Sequence, residues 1–397
     1  MAKDAILIFG VGELQRSIIS RAKDKGLFVV GIDPNENASA RLLVDAFEIV
    51  DGQDYEKTLF IAQKYNIKGI ITAATDKPLV MMARVAEKLN LNFFSKNTAI
   101  VSTDKFLMKQ AFENGKIPCA KGMLVGTIAD VKHFNFPLIL KPRDNSGSRG
   151  VILCDNVNVL KNALEEAKQY TKKETVLIEE FIDGKEYSIE SVHWKGKTKV
   201  IQFTEKQVTP FPYNVETGHI QPADISEFDK KRIERLIDQI ACVLKFDNCV
   251  SHTELKINER GIFVIETSPR LGGDYITSHL VPLSTGINVE DILIDISLGH
   301  EFDIEVIKQV YAKCAAVKFI TLPQGVVQKI DKHESLNCSG VIKYSMTLHE
   351  GERVPRLVNS LSRYGEIIFQ ADSREQLNEL MNKAECYINT HILVREQ

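Results

Sequence analysis

The stretch Ser251–Asp274, SHTELKINERGIFVIETSPRLGGD, indicates how this chain folds. Apolar side chains recur at odd-numbered positions on both sides of a polar centre: Leu255, Ile257, Phe263 and Ile265. A period of two predicts a β-hairpin with these side chains on one face. For them to share that face, the turn around 258–261 must contain an odd number of residues, counting any bulge.

The same register places Glu254 and Glu266 opposite each other on the other face of the hairpin. Directly opposed carboxylates repel unless a cation lies between them. Oxygen ligands of this kind suit Mg²⁺, which bridges protein carboxylates and nucleotide phosphates. Arg270, further along the chain, is placed to stabilise charge on a phosphoryl group or an acyl-phosphate oxygen. The alternative is an exposed hairpin whose acids are separated by water.

A second informative segment is Leu138–Val151, LILKPRDNSGSRGV, in which Lys141 ends an apolar strand and a glycine-containing loop follows. Glycines let a backbone approach a phosphate closely, and successive N–H groups form an anion nest. Lys141 would add a fixed positive charge. The segment is not a P-loop, and the competing interpretation is a hairpin loop with surface basic residues.

The segment Thr175–Glu186, TVLIEEFIDGKE, is an apolar strand followed by two acids and a turn. Its backbone around 180–182 is suited to pair with an adenine edge, with Phe181 or Ile182 packed on the adenine face. Glu186 is suited to accept hydrogen bonds from ribose hydroxyls. On its own the segment also fits a strand that ends in a solvated Asp-Gly turn.

Size and composition are those of a soluble multidomain enzyme. The chain has 397 residues, which predicts two to four domains, and it is 44% hydrophobic and 26% charged. The net charge of −3 argues against nucleic-acid binding as a main role, and no apolar run is long enough to span a bilayer. Seven scattered cysteines suit a reducing compartment, so we expect a cytoplasmic location.

Apolar runs alternate with helical patterns over the first hundred or so residues, which predicts a parallel sheet covered on both faces. Helices are predicted at Ala38–Val44 and, further on, at Thr103–Asn114. Beyond Pro118 the strand patterns predict antiparallel sheets. The stretch Gln207–Asp224 has three prolines and no periodicity, which predicts a long functional loop. The C-terminal region predicts a small α+β domain.

In chain order, Lys105 on a helix, KPRDNSGSRGV, EEFIDGKE and HTELKI…GIFVIETSPRLGG resemble an ATP-grasp enzyme over nearly the whole chain. PYNVETGHIQPA (Pro212–Ala223) and RLGGD are similar to the carboxylate–amine ligase branch, which includes bacilysin synthetase-like L-amino acid ligases and carnosine synthase-like enzymes. The resemblance implies a parallel α/β domain (1–95), a two-subdomain ATP-grasp fold (96–302, with a flexible lid at about 120–184) and a C-terminal α+β domain (303–397).

The resemblance also implies roles for individual residues. Nucleotide contacts are implied for two lysines, the lid loop, the adenine hinge and a ribose acceptor: Lys105, Lys141, Ser146, Gly147, Ser148, Gly150, Glu179, Glu180, Phe181, Ile182 and Glu186. Two Mg²⁺ ions, for which Mn²⁺ could substitute, are implied at Glu254 and Glu266. Ser268 would be a further metal contact, but the family usually has Asn there, and a hydroxyl ligates Mg²⁺ less readily than an amide oxygen.

Catalysis is implied for Arg270 and for His219, which would accept the proton of an amine or play a structural role. Substrate contacts are implied for Glu216, His219, Gly273 and Asp274. Asp274 stands where dipeptide-forming relatives carry a bulky residue. A carboxylate in that pocket would favour an ammonium or hydroxyl group on the substrate.

The activity implied is ADP-forming ligation, in which a carboxylate is activated as an acyl phosphate and joined to an amine in a peptide-like amide bond, with release of ADP and phosphate. One alternative is a formate- or bicarbonate-activating enzyme of nucleotide biosynthesis, which a basic cluster among Lys329, Arg353, Arg356 and Arg363 would favour. A second alternative is an ATP-binding protein without catalysis. The expected partners are a small carboxylate and a small amine, with a homodimer as the family-level expectation and neither nucleic acid nor membrane.

Overall fold

The computed structural model describes residues 3–131, 135–145, 147–331 and 339–395. The N-terminal part contains a parallel sheet, ordered β3-β2-β1-β4, and its helices. Its elements are β1 (Ala5–Phe9), α1 (Arg16–Asp24), β2 (Phe28–Asp33), β3 (Ala46–Ile49), α2 (Tyr55–Lys64), β4 (Ile67–Thr72) and α3 (Leu79–Leu89). The strand β1 is buried throughout, as its unbroken apolar run predicts.

Two helices lead into a small antiparallel sheet, ordered β5-β8-β6-β7, which corresponds to the predicted lid. The elements are α4 (Lys96–Thr103), α5 (Lys105–Asn114), β5 (Gly122–Val125), β6 (Leu138–Lys141), β7 (Ile152–Cys154), α6 (Val157–Lys168) and β8 (Val176–Glu180). The helix α6 covers one face of this sheet through Leu160, Ala163, Leu164 and Ala167, which all lie on its buried side.

The rest of the chain is organised around an eight-stranded sheet ordered β13-β12-β9-β10-β11-β14-β18-β16. Its first part comprises β9 (Lys185–Trp194), β10 (Lys197–Val208), β11 (Glu216–Gln221), α7 (Glu227–Leu244), β12 (Cys249–Asn258), β13 (Gly261–Ser268), α8 (Val281–Thr285) and α9 (Val289–Leu298). Its second part comprises β14 (Cys314–Phe319), β15 (Gly325–Ile330), β16 (Val341–Met346), β17 (Arg353–Val354), β18 (Gly365–Ala371), α10 (Arg374–His391) and β19 (Ile392–Arg395).

This sheet crosses the predicted domain boundary near residue 303, because β11 pairs directly with β14. The strands β17, β15 and β19 form a separate three-stranded sheet, and α10 packs against the C-terminal strands. Within the described ranges, no helix combines the length and apolar character needed to cross a bilayer. The six described cysteines are unpaired, as their scattered positions predict.

Two of the local predictions are wrong. Residues 38–44 form turns rather than a helix. The helix predicted at Thr103–Asn114 is confirmed as α5, which begins at Lys105 because Asp104 separates it from α4. Asp104 ends α4 and caps α5, since its carboxylate accepts hydrogen bonds from the Phe106 and Leu107 amides. The predicted loop Gln207–Asp224 contains the strand β11, so only residues 209–215 connect the two strands.

The hairpin β12–β13 confirms the carboxylate register and corrects the apolar face. Glu254 lies directly opposite Glu266, and the register shifts by one residue immediately afterwards, where Leu255 pairs with Val264. The sequence analysis required an odd number of residues in this hairpin turn, counting any bulge, and this bulge supplies the extra residue. It leaves Ile262 and Val264, rather than Phe263 and Ile265, on the buried face with Leu255.

Candidate nucleotide and substrate site

A cleft between the lid sheet and the large sheet collects the candidate residues. It is lined by most of the predicted nucleotide residues, by both predicted metal carboxylates and by one predicted substrate residue: Lys105, Lys141, Gly147, Ser148, Glu179, Glu180, Ile182, Glu186, Glu216, Glu254 and Glu266. Ser146 lies outside the described residues. Residues from five separate stretches of the sequence therefore share one surface.

The end of the cleft that contains Lys141 is built around a buried carboxylate. Glu179 forms ion pairs with Lys141 (2.7 Å) and with Lys109 (2.8 Å), and all three side chains are at most 7% exposed. Burial opposes ionisation of Glu179, but the two lysines hold its pKa below the ordinary value. Lys109 was not predicted as a site residue. It lies one turn along α5 from Lys105, so helix periodicity could have indicated it.

The lid loop approaches the cleft with backbone angles that favour glycine. Gly147, Ser148 and Gly150 have φ of 68°, 57° and 75°. A Cβ at Gly150 would lie 2.8 Å from the Tyr170 ring, so a larger residue there would displace the loop. The Ser148 hydroxyl donates to Glu216 at 3.3 Å, which brings this loop down onto β11.

The predicted adenine hinge follows β8. The amides of Glu180 and Phe181 already donate to the Lys121 and Pro137 carbonyls. Ile182 lines the cleft, whereas Phe181 packs edge-on against Phe211. Of the two residues considered for the adenine face, Ile182 is therefore the one that faces the cleft.

The centre of the cleft holds a lysine that the sequence did not indicate. Lys206 on β10 is 3% exposed and lies 3.0 Å from Glu254, 3.5 Å from Glu216 and 3.7 Å from Glu186. Burial opposes its charge, but these carboxylates raise the pKa of Lys206 well above the ordinary value. Lys206 lies one residue before the stretch predicted to be a loop, and a single lysine at a strand end carries no recognisable pattern.

The paired carboxylates have the donor chemistry that suits Mg²⁺. Glu254 and Glu266 directly face each other across the hairpin, and their side chains are 24% and 29% exposed. Their present counter-ions are lysines, with Glu266 2.6 Å from Lys105. Among the described residues, no group of three or more His, Cys, Asp or Glu side chains forms a complete metal cage. Two carboxylates suffice for Mg²⁺, which takes its remaining ligands from substrate phosphates and water.

Ser268 and Arg270 make contacts outside this cleft. The Ser268 hydroxyl donates to Asp76 at 2.5 Å, and the Arg270 Nε and Nη2 donate to the same carboxylate at 2.8 and 3.0 Å. Ser268 lines a neighbouring cleft together with Asp76, and that cleft shares Lys105 and Glu266 with the first. Asp76 was not predicted as a site residue, because nothing in the sequence links it to a segment some 190 residues away.

The predicted substrate residues Asp274 and His219 form a buried cluster with Arg363 of the C-terminal part. Arg363 donates to both oxygens of Asp274 at 2.7 Å and stacks 3.7 Å from the centre of the Phe319 ring. Burial opposes the Asp274 charge, but Arg363 and His219 hold the pKa of Asp274 well below its ordinary value. The expected free carboxylate is therefore already neutralised.

His219 is 2% exposed, and its Nε2 lies 3.4 Å from Asp274. Neither His219 nor Asp274 lines the cleft, and the Gly273 backbone packs against Ala74. This burial favours a positioning role for the imidazole over direct proton transfer. Glu216 is the predicted substrate residue that does line the cleft, where it also accepts a hydrogen bond from Ser360 at 2.9 Å.

Comparisons with known proteins agree with this architecture. Residues 134–278 match the ATP-grasp domain, and residues 318–391 match the L-amino acid ligase C-terminal domain 2. The fold matches that of a solved L-amino acid ligase from Bacillus licheniformis, with a TM-score of 0.84, 21% identity and full coverage of both chains. It also matches phosphoribosylglycinamide synthetase from Anaerococcus prevotii, with a TM-score of 0.76, 19% identity and full coverage of both chains.

The chain therefore contains an ATP-grasp domain over residues 134–278 and an L-amino acid ligase C-terminal domain over residues 318–391. Among curated relatives, the alanine–anticapsin ligase of Bacillus amyloliquefaciens is 24% identical over 320 residues, which cover 73% of this chain and 67% of that ligase. Two further alanine–anticapsin ligases are matched over 58% and 55% of their length. The chain thus spans between about half and two thirds of the length of these relatives.

Proposed function

We propose that the protein is an ATP-dependent carboxylate–amine ligase that forms an amide bond between an amino acid, or a similar carboxylate, and an amine. The observation that carries this proposal is the facing pair Glu254 and Glu266, in one cleft with the phosphate-side lysines Lys105 and Lys141. The relatives named as amino-acid ligases support the amide product.

In this proposal Lys105 and Lys141 bind the phosphates of ATP, and Glu186 and the Ile182 amide bind the nucleoside. Glu254 and Glu266 would hold Mg²⁺, which would supply charge neutralisation for the phosphates. The proposal includes two Mg²⁺ ions, for which Mn²⁺ could substitute.

The substrate carboxylate attacks the γ-phosphorus, so that an acyl phosphate forms and ADP leaves. The amine then attacks the acyl carbon, the carbon–oxygen bond to phosphate breaks, and the departing phosphate takes the amine proton. Arg270 donates to the oxyanion of the tetrahedral intermediate. The lid loop, held on β11 by the Ser148–Glu216 hydrogen bond, excludes water that would hydrolyse the acyl phosphate.

The rival nucleotide-biosynthesis chemistry called for a basic cluster in the C-terminal part. Lys329 is paired with Asp331 at 2.7 Å, and Arg363 is paired with Asp274. Arg356 lies over the Tyr213 ring. Among the described residues, Lys329 and Arg363 are therefore already neutralised by carboxylates, which favours the amino-acid ligase.

The test is ADP and phosphate release with Mg-ATP over a grid of amino-acid pairs, with formate and bicarbonate included. We expect release only when a carboxylate and an amine are both present. Loss of an outer-shell metal partner typically lowers activity roughly 10–100-fold. Glu266 is proposed as a direct ligand, so Glu266→Gln should lower kcat by at least this much. Glu259→Gln changes an exposed carboxylate in the turn of the same hairpin and should leave turnover unchanged.

Release that needs formate or bicarbonate would overturn the proposal in favour of the rival. ATP binding without substrate-dependent release over the whole grid would support a protein that binds ATP without catalysis. Gel filtration with light scattering measures the oligomeric state, for which a homodimer is proposed. Fractionation of cells tests the proposed cytoplasmic location.

A further inference from the structure

Asp76 connects the N-terminal part of the chain with the cleft that neighbours the candidate site. It follows β4 and accepts hydrogen bonds from Ser268 and from two nitrogens of Arg270. Burial opposes its charge, but Arg270 lowers the pKa of Asp76 to about 2. The side chains of Asp76 and Arg270 are 24% and 11% exposed, so this ion pair is largely shielded from solvent.

The loop that carries Asp76 is fixed against the loop that carries Arg270. The Ala74 amide donates to the Leu271 carbonyl at 3.2 Å, and Ala73 forms a parallel bridge with Leu271. A Cβ at Gly273 would lie 3.3 Å from the Ala74 Cβ, which shows how closely the two loops approach. Backbone contacts and the ion pair therefore fix the position of Asp76 together.

The contacts of Arg270 leave part of its guanidinium available. A guanidinium has five N–H donors. Among the described residues, Nε and Nη2 each donate once to Asp76, and Nη1 donates once to Leu271. Two N–H groups remain, one on each terminal nitrogen. Because the other contacts fix the plane of the guanidinium, these two donors have a defined direction.

We propose that Asp76 is a positioning residue that orients Arg270 for oxyanion stabilisation, and that Ser268 completes this contact rather than the metal site. This inference rests on the proposed ligase function. It also accounts for the serine at position 268, because a hydroxyl donates to a carboxylate whereas it is a weak Mg²⁺ ligand.

The test compares Asp76→Asn with Asp51→Asn, using Mg-ATP and the amino-acid pair that gives the fastest phosphate release. Asp51 belongs to the same N-terminal part, and its ion pair with Lys77 is exposed. Asp76→Asn should lower kcat roughly 10–100-fold while the KM for ATP changes less than about twofold, because geometry is lost and not nucleotide binding. Asp51→Asn should match the wild type. Equal kcat values for Asp76→Asn and the wild type would overturn the proposal.

A double-mutant cycle with Arg270→Lys separates positioning from a structural role. If Asp76 acts through Arg270, adding Asp76→Asn to Arg270→Lys should lower kcat by less than about twofold. If the kcat losses of the two single variants multiply in the double variant, the assignment is refuted. Ser268→Ala should leave the Mg²⁺ concentration for half-maximal rate unchanged. A clear rise in this concentration would indicate that Ser268 contacts the metal.

Hydrogen exchange provides a readout that needs no turnover. Asp76→Asn should speed exchange at the Ala74 amide and around 268–273, and unchanged protection there would count against the contact. A silent wild-type enzyme with the expected exchange would refute the proposed function while sustaining the contact. An active enzyme in which Asp76→Asn changes neither kcat nor exchange would refute only the inference.

Discussion

Arg363→Met should remove the main contact between the C-terminal part of the chain and the buried pair Asp274 and His219. Arg363 makes two hydrogen bonds of 2.7 Å to Asp274, and the two side chains are only 13% and 23% exposed. Methionine retains apolar contact with Phe319 but removes the charge. Among the described residues, His219 would then be the remaining partner of the largely buried Asp274.

The expected cost follows from this geometry. Removing one partner of a buried ion pair typically costs about 3–5 kcal/mol, and the partial exposure of this pair places the loss near the lower limit, about 3 kcal/mol. Urea denaturation followed by circular dichroism measures the loss in Arg363→Met, in Asp274→Asn and in the double variant. The coupling free energy from this cycle should be about 2–3 kcal/mol.

Lys329→Met is the matched control, because Lys329 belongs to the same part of the chain and its ion pair with Asp331 is exposed. Its effect should stay below about 1 kcal/mol. A coupling free energy below about 0.5 kcal/mol for Arg363 and Asp274 would refute the reasoning.

Lys206→Met should lower the free energy of unfolding by about 3 kcal/mol, because three carboxylates lose their shared cation. Urea denaturation measures this loss, and Lys185→Met, which alters an exposed lysine, is the control. Burial raises the pKa of Glu290 to about 7, against hydrogen bonds from Ser17 and Arg21 that lower it. The folded state therefore favours the protonated carboxyl. This contribution is fully present below the unfolded pKa near 4.5 and is lost as pH rises through 7, with a total change of about 3 kcal/mol. In Glu290→Gln, urea denaturation from pH 5 to 8 should lack this decline, and an unchanged pH profile would contradict the assignment.

Local periodicity predicted the elements that depend on near neighbours. The parallel sheet forms where apolar runs alternate with helical patterns, and α5 forms within two residues of its predicted bounds. The facing of Glu254 and Glu266 was also predictable, because strand parity fixes it once a bulge is allowed. The bulge position was not predictable, since it depends on whether Ile265 or a neighbour fits the core against α7 and the N-terminal helices.

The remaining features of the site depend on contacts between distant segments. Asp76 meets Arg270 across 194 residues, Glu216 meets Ser360 across 144, and Asp274 meets Arg363 across 89. No periodicity connects such pairs. The neutralisation of Asp274 is the clearest case, because the sequence indicated a carboxylate in a pocket but not the arginine that balances its charge.

The ion pairs of the cleft indicate how it tolerates so many charges before and after substrates bind. Lys105 is paired with Glu266 at 2.6 Å and Lys206 with Glu254 at 3.0 Å, so the carboxylates proposed for Mg²⁺ already have counter-ions. An unpaired buried charge would cost several kcal/mol. When phosphates enter, Lys105 can exchange a carboxylate for a phosphate oxygen, and Glu266 can exchange a lysine for a metal ion. Under the proposed function, Lys105 and Glu266 would each change partner without losing one, so the cleft could form in the free protein and still bind a highly charged nucleotide.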